Sequence, residues 1–361
     1  MTHGPGTGGK LWPIRYKPLP DELLSSWLVR LAHGHGLKVQ TFCNLIFGNR
    51  RQIWNRDVDR LAPSWLVETL AERTGTPLEV AQRTTLRVFE GTLFKQFHSS
   101  GTLTWIQTMQ MYHRQRQGFA QQFCPACLRR DAIPYFRKTW RLALKTFCIQ
   151  HECKLLDRCH ACGSSVAFHR VDMVQSGRLG HMSISHCHQC ETELGRGPRV
   201  TPRVWDEEAF GALTQIIAAL DAVSNGHRTL LEHDTLAVMR HLTAMMLSRR
   251  RKLRLGDYLT DRFREAPLQI AQPSRPFVET QCQETRHMLL LWSAWLLCAP
   301  QERLGMALRE GAFRYNHLLR DFVKPPEWYV KLVQGWPASR RRPAVSRVQA
   351  KESRDANTTS W

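Results

Sequence analysis

A chain of 361 residues, 42% of them hydrophobic, can bury a sizeable core and form two or three domains. Lys and Arg number 51 against 31 Asp and Glu, a formal net charge of +20, and such an excess favours a polyanionic partner, nucleic acid before any other. The opening MTHGPGTGGKLWPIR has no apolar signal-peptide core, and the longest apolar run, Met288 to Ala299, falls well short of the ~20 residues that span a bilayer. These features point away from secretion and membranes and toward a cytoplasmic, DNA-associated protein, in which thiols stay reduced.

Residues 1–10 are Gly-rich and read as a disordered leader. GPGTGGK at 4–10 partly echoes a phosphate-binding loop, but Leu11 stands where a Mg2+-binding Ser or Thr is needed, and no strand precedes it. From Pro18 the pattern becomes helical. Leu23, Leu24, Trp27, Leu28 and Leu31 share a face, with Asp21 as the expected N-cap and Gly34 or Gly36 as the stop. A second helix is expected over Val39 to Phe47.

In SWLVETLAERTGTPLEVAQ, residues Trp65, Leu66, Leu70 and Ala71 form one apolar face, and Gly75 permits a sharp turn. Thr76-Pro77-Leu78-Glu79 reads as a capping box opening the next helix. Two short helices joined by a Gly turn suit a helix-turn-helix, with an ordinary helical hairpin as the alternative. Asp57 and Asp59 read as surface charges. Residues 11–120 are thus expected to form an N-terminal helical, helix-turn-helix domain.

Eight of the 11 cysteines lie between Cys124 and Cys190. Seven of them and one histidine resolve into four knuckles. Cys124-Pro-Ala-Cys127 pairs with Cys148-Ile-Gln-His151, and Cys159-His-Ala-Cys162 pairs with Cys187-His-Gln-Cys190. A CxxC turn supplies two thiolates from one tight loop, and a second knuckle across a short hairpin closes a tetrahedral shell. The expectation is two structural Zn2+ ions in tandem zinc ribbons over 121–200, with no open coordination position. Structural zinc contributes ~10–16 kcal/mol to such modules. A redox CxxC would not need four knuckles, and a histidine in the shell counts against iron–sulfur. Cys153, His160, His186 and His188 are left over; Cys153 could replace His151, but the CxxH spacing favours His151. Trp140 reads as a packing residue, and Arg137, Lys138 and Arg141 beside it as a basic edge for nucleic acid.

Beyond Trp205 helices are expected over Phe210–Val223, Leu230–Leu247 and Phe277–Cys298, with shorter pieces to about Val333, as a C-terminal helical domain over 201–336. Glu207 and Glu208 read as helix-end charges. Arg249, Arg250, Arg251, Lys252 and Arg254 form a basic cluster expected to meet phosphates, and residues 337–361, with Arg340 to Arg342, read as a disordered basic tail. The fold class is mainly α with small β zinc ribbons. No Ser-His-Asp arrangement, HExxH or acidic metal triad stands out.

PLPDELLSSWLVRLA at 18–32 resembles the opening motif of the TniQ/TnsD family of transposition proteins. FCPACL, DAIPYFRKTWRL, CIQH and LLDRCHACG, in that order over 123–163, resemble its zinc-ribbon signature. The resemblance implies a non-enzymatic target-selection factor with a helix-turn-helix and tandem zinc ribbons. Such a factor recognises target DNA, or binds a guide-RNA (CRISPR) effector complex that does so. It recruits an AAA+ ATPase of TnsC/TniB type, and guide-associated relatives form homodimers. By position it makes Cys124, Cys127, Cys148, His151, Cys159, Cys162, Cys187 and Cys190 the zinc ligands. Trp12 and Pro18-Leu19-Pro20, ahead of the first helix, are the candidate strip for docking the ATPase. The rival readings are a zinc-containing helix-turn-helix transcription regulator and a metal-using nuclease or recombinase.

Overall fold

The computed structural model describes residues 11–49, 53–109, 111–112, 115–116, 118–174, 183–227, 229, 231–270, 277–320, 322 and 324–336. The expected leader at 1–10, with its glycine-rich stretch, and the expected tail at 337–361 lie outside the described residues. Within them the chain forms fourteen α-helices and two two-stranded antiparallel sheets. Helices predominate, as the apolar periodicity indicated.

α1 (Leu24–Gly34) is buried from Leu24 through Ala32, including Ser25, Ser26 and Arg30. Its polar residues are tolerated because each is paired. The Glu22 carboxylate accepts from Ser26 Oγ at 2.9 Å and from Arg30 Nε and Nη2 at 2.7 Å each. Glu22, Ser26 and Arg30 are spaced by four, so one face of the first turns carries a continuous polar ladder inside the apolar core.

Asp21 is not the N-cap. The N-cap position is Leu23, without a side-chain bond, and the first N–H groups find partners far away in sequence. Leu24 N donates to the Thr84 carbonyl at 2.8 Å, and Ser25 N to Asp59 Oδ1 at 2.7 Å. Asp21 itself sits in the left-handed region at φ 57° and accepts from Thr139 Oγ1 at 2.6 Å and from Ser224 Oγ.

α2 (Val39–Phe47) has the expected bounds. After a 3-10 turn at Ile53–Asn55 come α3 (Val58–Leu61), α4 (Ser64–Thr74) and α5 (Leu78–Gln82). α4 ends in a left-handed Gly75, with Thr76 N bonded to Ala71 O and Gly75 N to Glu72 O, the Schellman arrangement that glycine makes available. The capping box does not form: Thr76 is buried with its hydroxyl 2.7 Å from that of Thr74, and α5 begins after an N-cap at Pro77 without a side-chain bond. The two helices and their Gly turn are present, but α5 has only five residues, about 7.5 Å of helix. Leu78, Glu79, Val80 and Gln82 are exposed on it, and none of them is a cation.

Asp57 and Asp59 are not surface charges. Asp57 caps α3 and accepts Arg141 Nη2 at 2.5 Å; Asp59 is fully buried and takes Arg141 Nη1 at 3.4 Å and Ser25 Oγ at 2.8 Å. Burial pushes the Asp59 carboxyl up to about 6, against the pull of the Arg141 charge.

β1 (Met111–Tyr112) pairs antiparallel with β2 (Gln115–Arg116), and β3 (Phe147–Cys148) with β4 (Cys153–Lys154), on either side of α6 (Pro125–Arg130). α7 (Val171–Val174) follows. The later helices are α8 (Glu207–Ser224), α9 (His233–Met246), α10 (Leu255–Phe263), α11 (Gln283–Cys298), α12 (Pro300–Arg309), α13 (His317–Arg320) and α14 (Glu327–Gln334). Glu207 and Glu208 open α8 behind an Asp206 N-cap, where carboxylates meet the positive helix end. α11 lies against α8, α9 and α12, and its apolar run is buried from Leu289 through Leu296.

The start of α11 plugs into the cysteine-rich segment. Gln283 N and Nε2 reach Asp157 Oδ2 and the Thr146 carbonyl at 2.9 and 2.7 Å. Arg286, fully buried, donates to the carbonyls of Gln281 and Ala143 and to Gln122 Oε1. His287 Nδ1 and Nε2 lie 2.9 and 3.0 Å from Thr146 Oγ1 and the Arg203 carbonyl. One apolar cluster accordingly runs from Leu23 to Trp336.

Replacing Arg141 with Met would leave the Asp59 charge buried without its counter-ion. Such a change costs about 3–5 kcal/mol, so the midpoint of chemical unfolding should fall steeply. Adding Asp59→Asn should recover part of the loss. A single variant with an unchanged midpoint would show that the pair is dispensable.

Candidate metal centres

The first centre is assembled from a helix start and a hairpin. Cys124 occupies the N-cap of α6, its Sγ accepting Cys127 N at 3.4 Å, and Pro125 takes the first helical position, where no N–H is needed. The strand entering this knuckle is tied to the hairpin by reciprocal Phe123–Leu156 backbone bonds of 2.9 Å. Across it, β3 delivers Cys148, and the following turn, with Glu152 at φ 48°, delivers His151.

The ligand atoms of Cys124, Cys127, Cys148 and His151 all lie within 4.8 Å of one another. His151 Nδ1 is 3.6, 3.3 and 3.5 Å from the sulfurs of Cys124, Cys127 and Cys148, and Cys127 is 3.8 Å from Cys148. A tetrahedral shell with metal–sulfur bonds of ~2.3 Å and metal–nitrogen bonds of ~2.0–2.1 Å has edges of about 3.5–3.8 Å. The spacing is that of a closed four-ligand shell.

Cys153 stands directly across the hairpin from Cys148, so both side chains lie on one face. Its sulfur is 3.6 Å from Cys124 Sγ, yet it is not one of the four atoms that mutually converge. A thiol in that position can donate to the Cys124 sulfur from outside the shell. His151 Nε2, by contrast, is buried with no hydrogen-bond partner, so the imidazole lacks the outer anchor that metal-bound histidines usually have.

The second centre joins two knuckles of matching construction. Cys159 N bonds to the Ser164 carbonyl and Gly163 N to the Cys159 carbonyl; Cys187 N bonds to Thr192 O and Glu191 N to Cys187 O. The residue after each second cysteine is left-handed, Gly163 at φ 71° and Glu191 at φ 58°. Cys159–Cys190 and Cys162–Cys187 sulfur distances are 3.6 and 3.7 Å, and all four sulfurs converge. Hydroxyls surround them: Ser164 Oγ lies 3.1 and 3.3 Å from the sulfurs of Cys162 and Cys187, and Thr192 Oγ1 3.3 Å from Cys190. Cys162 and Cys190 are exposed, whereas the first shell is buried except for half-buried His151.

Residues 13–155, a stretch that contains the whole first centre, match the family model TniQ. This stretch is a TniQ domain. No curated protein matches the chain. The TniQ domain associates the chain with DNA transposition, and the TniQ segment stops before the second centre, whose four cysteines begin at Cys159. No described helix is long and apolar enough to cross a membrane.

The other residues singled out in the sequence separate. Within the TniQ segment, Arg137, Lys138 and Arg141 do not form a basic edge. Arg137 makes a two-pronged bridge to Asp131 at 2.9 and 3.0 Å and stacks over Tyr135 and Trp140; Lys138 is buried 3.5 Å from Asp21; Arg141 is enclosed by Asp57 and Asp59. The 3-10 turn that carries Lys138 and Arg141 faces carboxylates recruited from much earlier in the chain. Trp140 is packed, edge-on to Phe136.

The strip ahead of α1 is also engaged within the chain. Trp12 packs edge-on against Phe42 and His35, and its backbone N–H bonds to Arg73 O. Lys17 Nζ reaches the Thr74 and Gly75 carbonyls at the end of α4, and Tyr16 O accepts Trp27 Nε1. Pro18 and Leu19 are half-buried, while Leu11, Tyr16 and Pro20 are exposed. Trp12 is therefore not an outward-facing docking residue, and removing residues 11–17 would unseat α4.

Arg249, Arg250, Arg251, Lys252 and Arg254 do stay outside, on the turn between α9 and α10. Arg254 shares an exposed 3.3 Å bridge with Asp257. The hydroxyls of Ser164 and Thr192 escaped sequence reasoning as shell neighbours; their positions two residues past a knuckle were the available signal.

Protein purified without added metal should carry two metal ions per chain by native mass spectrometry. Cys124→Ser should lose one, and Cys153→Ser should keep both. Equal loss from Cys153→Ser and His151→Ala would place Cys153 in the first shell. Separately, Glu191→Gly should relieve the left-handed backbone cost and stabilise the second centre by roughly 1 kcal/mol, read as slower metal release to a chelator.

Proposed function

We propose that this chain is a non-enzymatic adaptor that selects a transposition target, with zinc in both shells. The observation that carries the reading is a TniQ segment built around a closed three-sulfur, one-nitrogen shell. Zinc suits thiolates and imidazole in tetrahedral geometry without redox chemistry, and four protein ligands leave no position for a reactive water. Both centres then act as staples, holding the hairpin and loops of 123–194 in place of the core that such short elements cannot build.

Target DNA, directly or through a guide-RNA effector complex, is the proposed first partner. Its support is the +20 charge and the exposed run Arg249 to Lys252 on the α9–α10 turn. An AAA+ ATPase of the transposon is the proposed second partner. Its docking edge is assigned to the outer side of the 11–20 segment, where Leu11 and Tyr16 are exposed beside inward-facing Trp12.

Binding to duplex DNA should weaken steeply with salt. Changing Arg249, Arg250 and Arg251 together to Ala should flatten the log K against log salt slope by about one unit per lost phosphate contact. The intact chain should co-purify with the AAA+ ATPase encoded beside it and should neither cleave DNA nor hydrolyse ATP alone. A chain that binds DNA and regulates transcription but never recruits an ATPase is the transcription regulator instead. Metal-dependent cleavage by the pure chain would make it an enzyme.

A further inference from the structure

The first centre has one sulfur more than a tetrahedral shell can use. Cys124, Cys127, Cys148 and His151 supply the four converging atoms, and Cys153 brings a fifth donor to the edge of the group. Its side chain is buried, and the register of β3 with β4 sets it opposite Cys148 on one face of the hairpin. The 3.6 Å from its sulfur to Cys124 Sγ equals the distance from Cys124 Sγ to His151 Nδ1. Toward Cys124, Cys153 already stands as far off as a shell partner does.

The four resident ligands are not held equally. Cys124 is fixed at the N-cap of α6, where Cys127 N donates to its sulfur, and Cys127 lies within the same helix. Cys148 is held in the β3–β4 ladder. His151 rides on the turn between those strands, next to left-handed Glu152, and is half-buried. With Nδ1 facing the sulfurs, the ring proton sits on Nε2, which is buried without a hydrogen-bond partner. Metal-bound histidines are normally oriented through that second nitrogen. The imidazole is therefore the ligand that no outer hydrogen bond steadies.

We infer that Cys153 is a reserve ligand of the first centre: when the imidazole leaves, its thiolate takes the fourth position and the shell becomes four sulfurs. The two donors lie two residues apart on one hairpin, so the exchange needs no change of fold. One rotamer step about the Cys153 Cα–Cβ bond moves the sulfur by roughly 3 Å, most of a shell edge. A proton is released, because the entering group binds as thiolate and the departing imidazole is neutral. Four thiolates still suit Zn2+, and softer ions such as Cu+ as well, so the exchange preserves the staple. The inference rests on the proposed zinc in both shells and adds a second way to complete the first.

The intact chain and its variants would be purified without added metal and their ions counted by native mass spectrometry. Wild type, His151→Ala and Cys153→Ser should each hold two, and the double variant His151→Ala with Cys153→Ser should hold one. After exchange into Co2+, thiolate-to-metal charge-transfer absorption should rise in His151→Ala, as seven sulfur ligands become eight, and stay at the wild-type level in Cys153→Ser. A His151→Ala chain that loses an ion, or a double variant that keeps both, would overturn the reserve role and leave zinc in both shells standing. Loss of an ion from Cys153→Ser would make Cys153 a resident ligand and overturn it as well. Fewer than two zinc ions in the wild type would instead overturn the zinc reading on which it depends.

Discussion

The buried carboxylate of Asp59 is the point on which the TniQ segment closes. It caps the first turn of α1 from outside through Ser25 N, binds the Ser25 hydroxyl and faces the fully buried guanidinium of Arg141. Three pieces of chain far apart in sequence meet at one charge. In a low-dielectric interior a charge without partners is expensive, so the native arrangement is specified as much by what would be left unpaired in any other packing as by what is gained. Glu22 with Ser26 and Arg30, and Asp21 with Thr139 and Lys138, repeat the device beside it.

The same logic joins the metal segment to the later helices, with carbonyls in place of carboxylates. Arg286 has no carboxylate among its hydrogen-bond partners; two backbone carbonyls and the Gln122 side chain receive it, and burial lowers its pKa to about 10. Backbone dipoles of the 143–146 stretch thereby anchor the start of α11, while His287 stays neutral between Thr146 and Arg203, burial holding its pKa down to about 4. The cysteine-rich loops and the C-terminal helices are thus one packed unit at this seam, and the position of the arginine turn is inherited from it through α9, which packs on α11.

Much of this was legible in sequence where the signal is local. Cysteine spacing of three fixes a knuckle whatever surrounds it, and the bounds of α2 follow from apolar periodicity. What was not legible depends on distant partners. Asp21 looked like an N-cap because local rules assume that a helix start is satisfied by its own neighbourhood; here Thr84 and Asp59 satisfy it. Arg137, Lys138 and Arg141 looked like a surface edge because a run of charges does not reveal that Asp21, Asp57 and Asp59 wait for two of them. The Arg249–Lys252 run, of similar composition, stays exposed on the α9–α10 turn.

The two metal shells differ in one respect that composition conceals. The first is enclosed, with three buried cysteines and a half-buried His151, and it lies inside the TniQ segment; the second presents Cys162 and Cys190 at the surface. Ligand exchange at a metal proceeds through whichever bond a competing ligand can reach, so with both of the proposed ions bound the second would exchange more readily than the first. Under metal scarcity the chain would therefore pass through a half-loaded form in which the TniQ segment keeps its staple and the loops of 159–194 lose theirs. Supply of metal would then set the state of the second knuckle pair independently of the first.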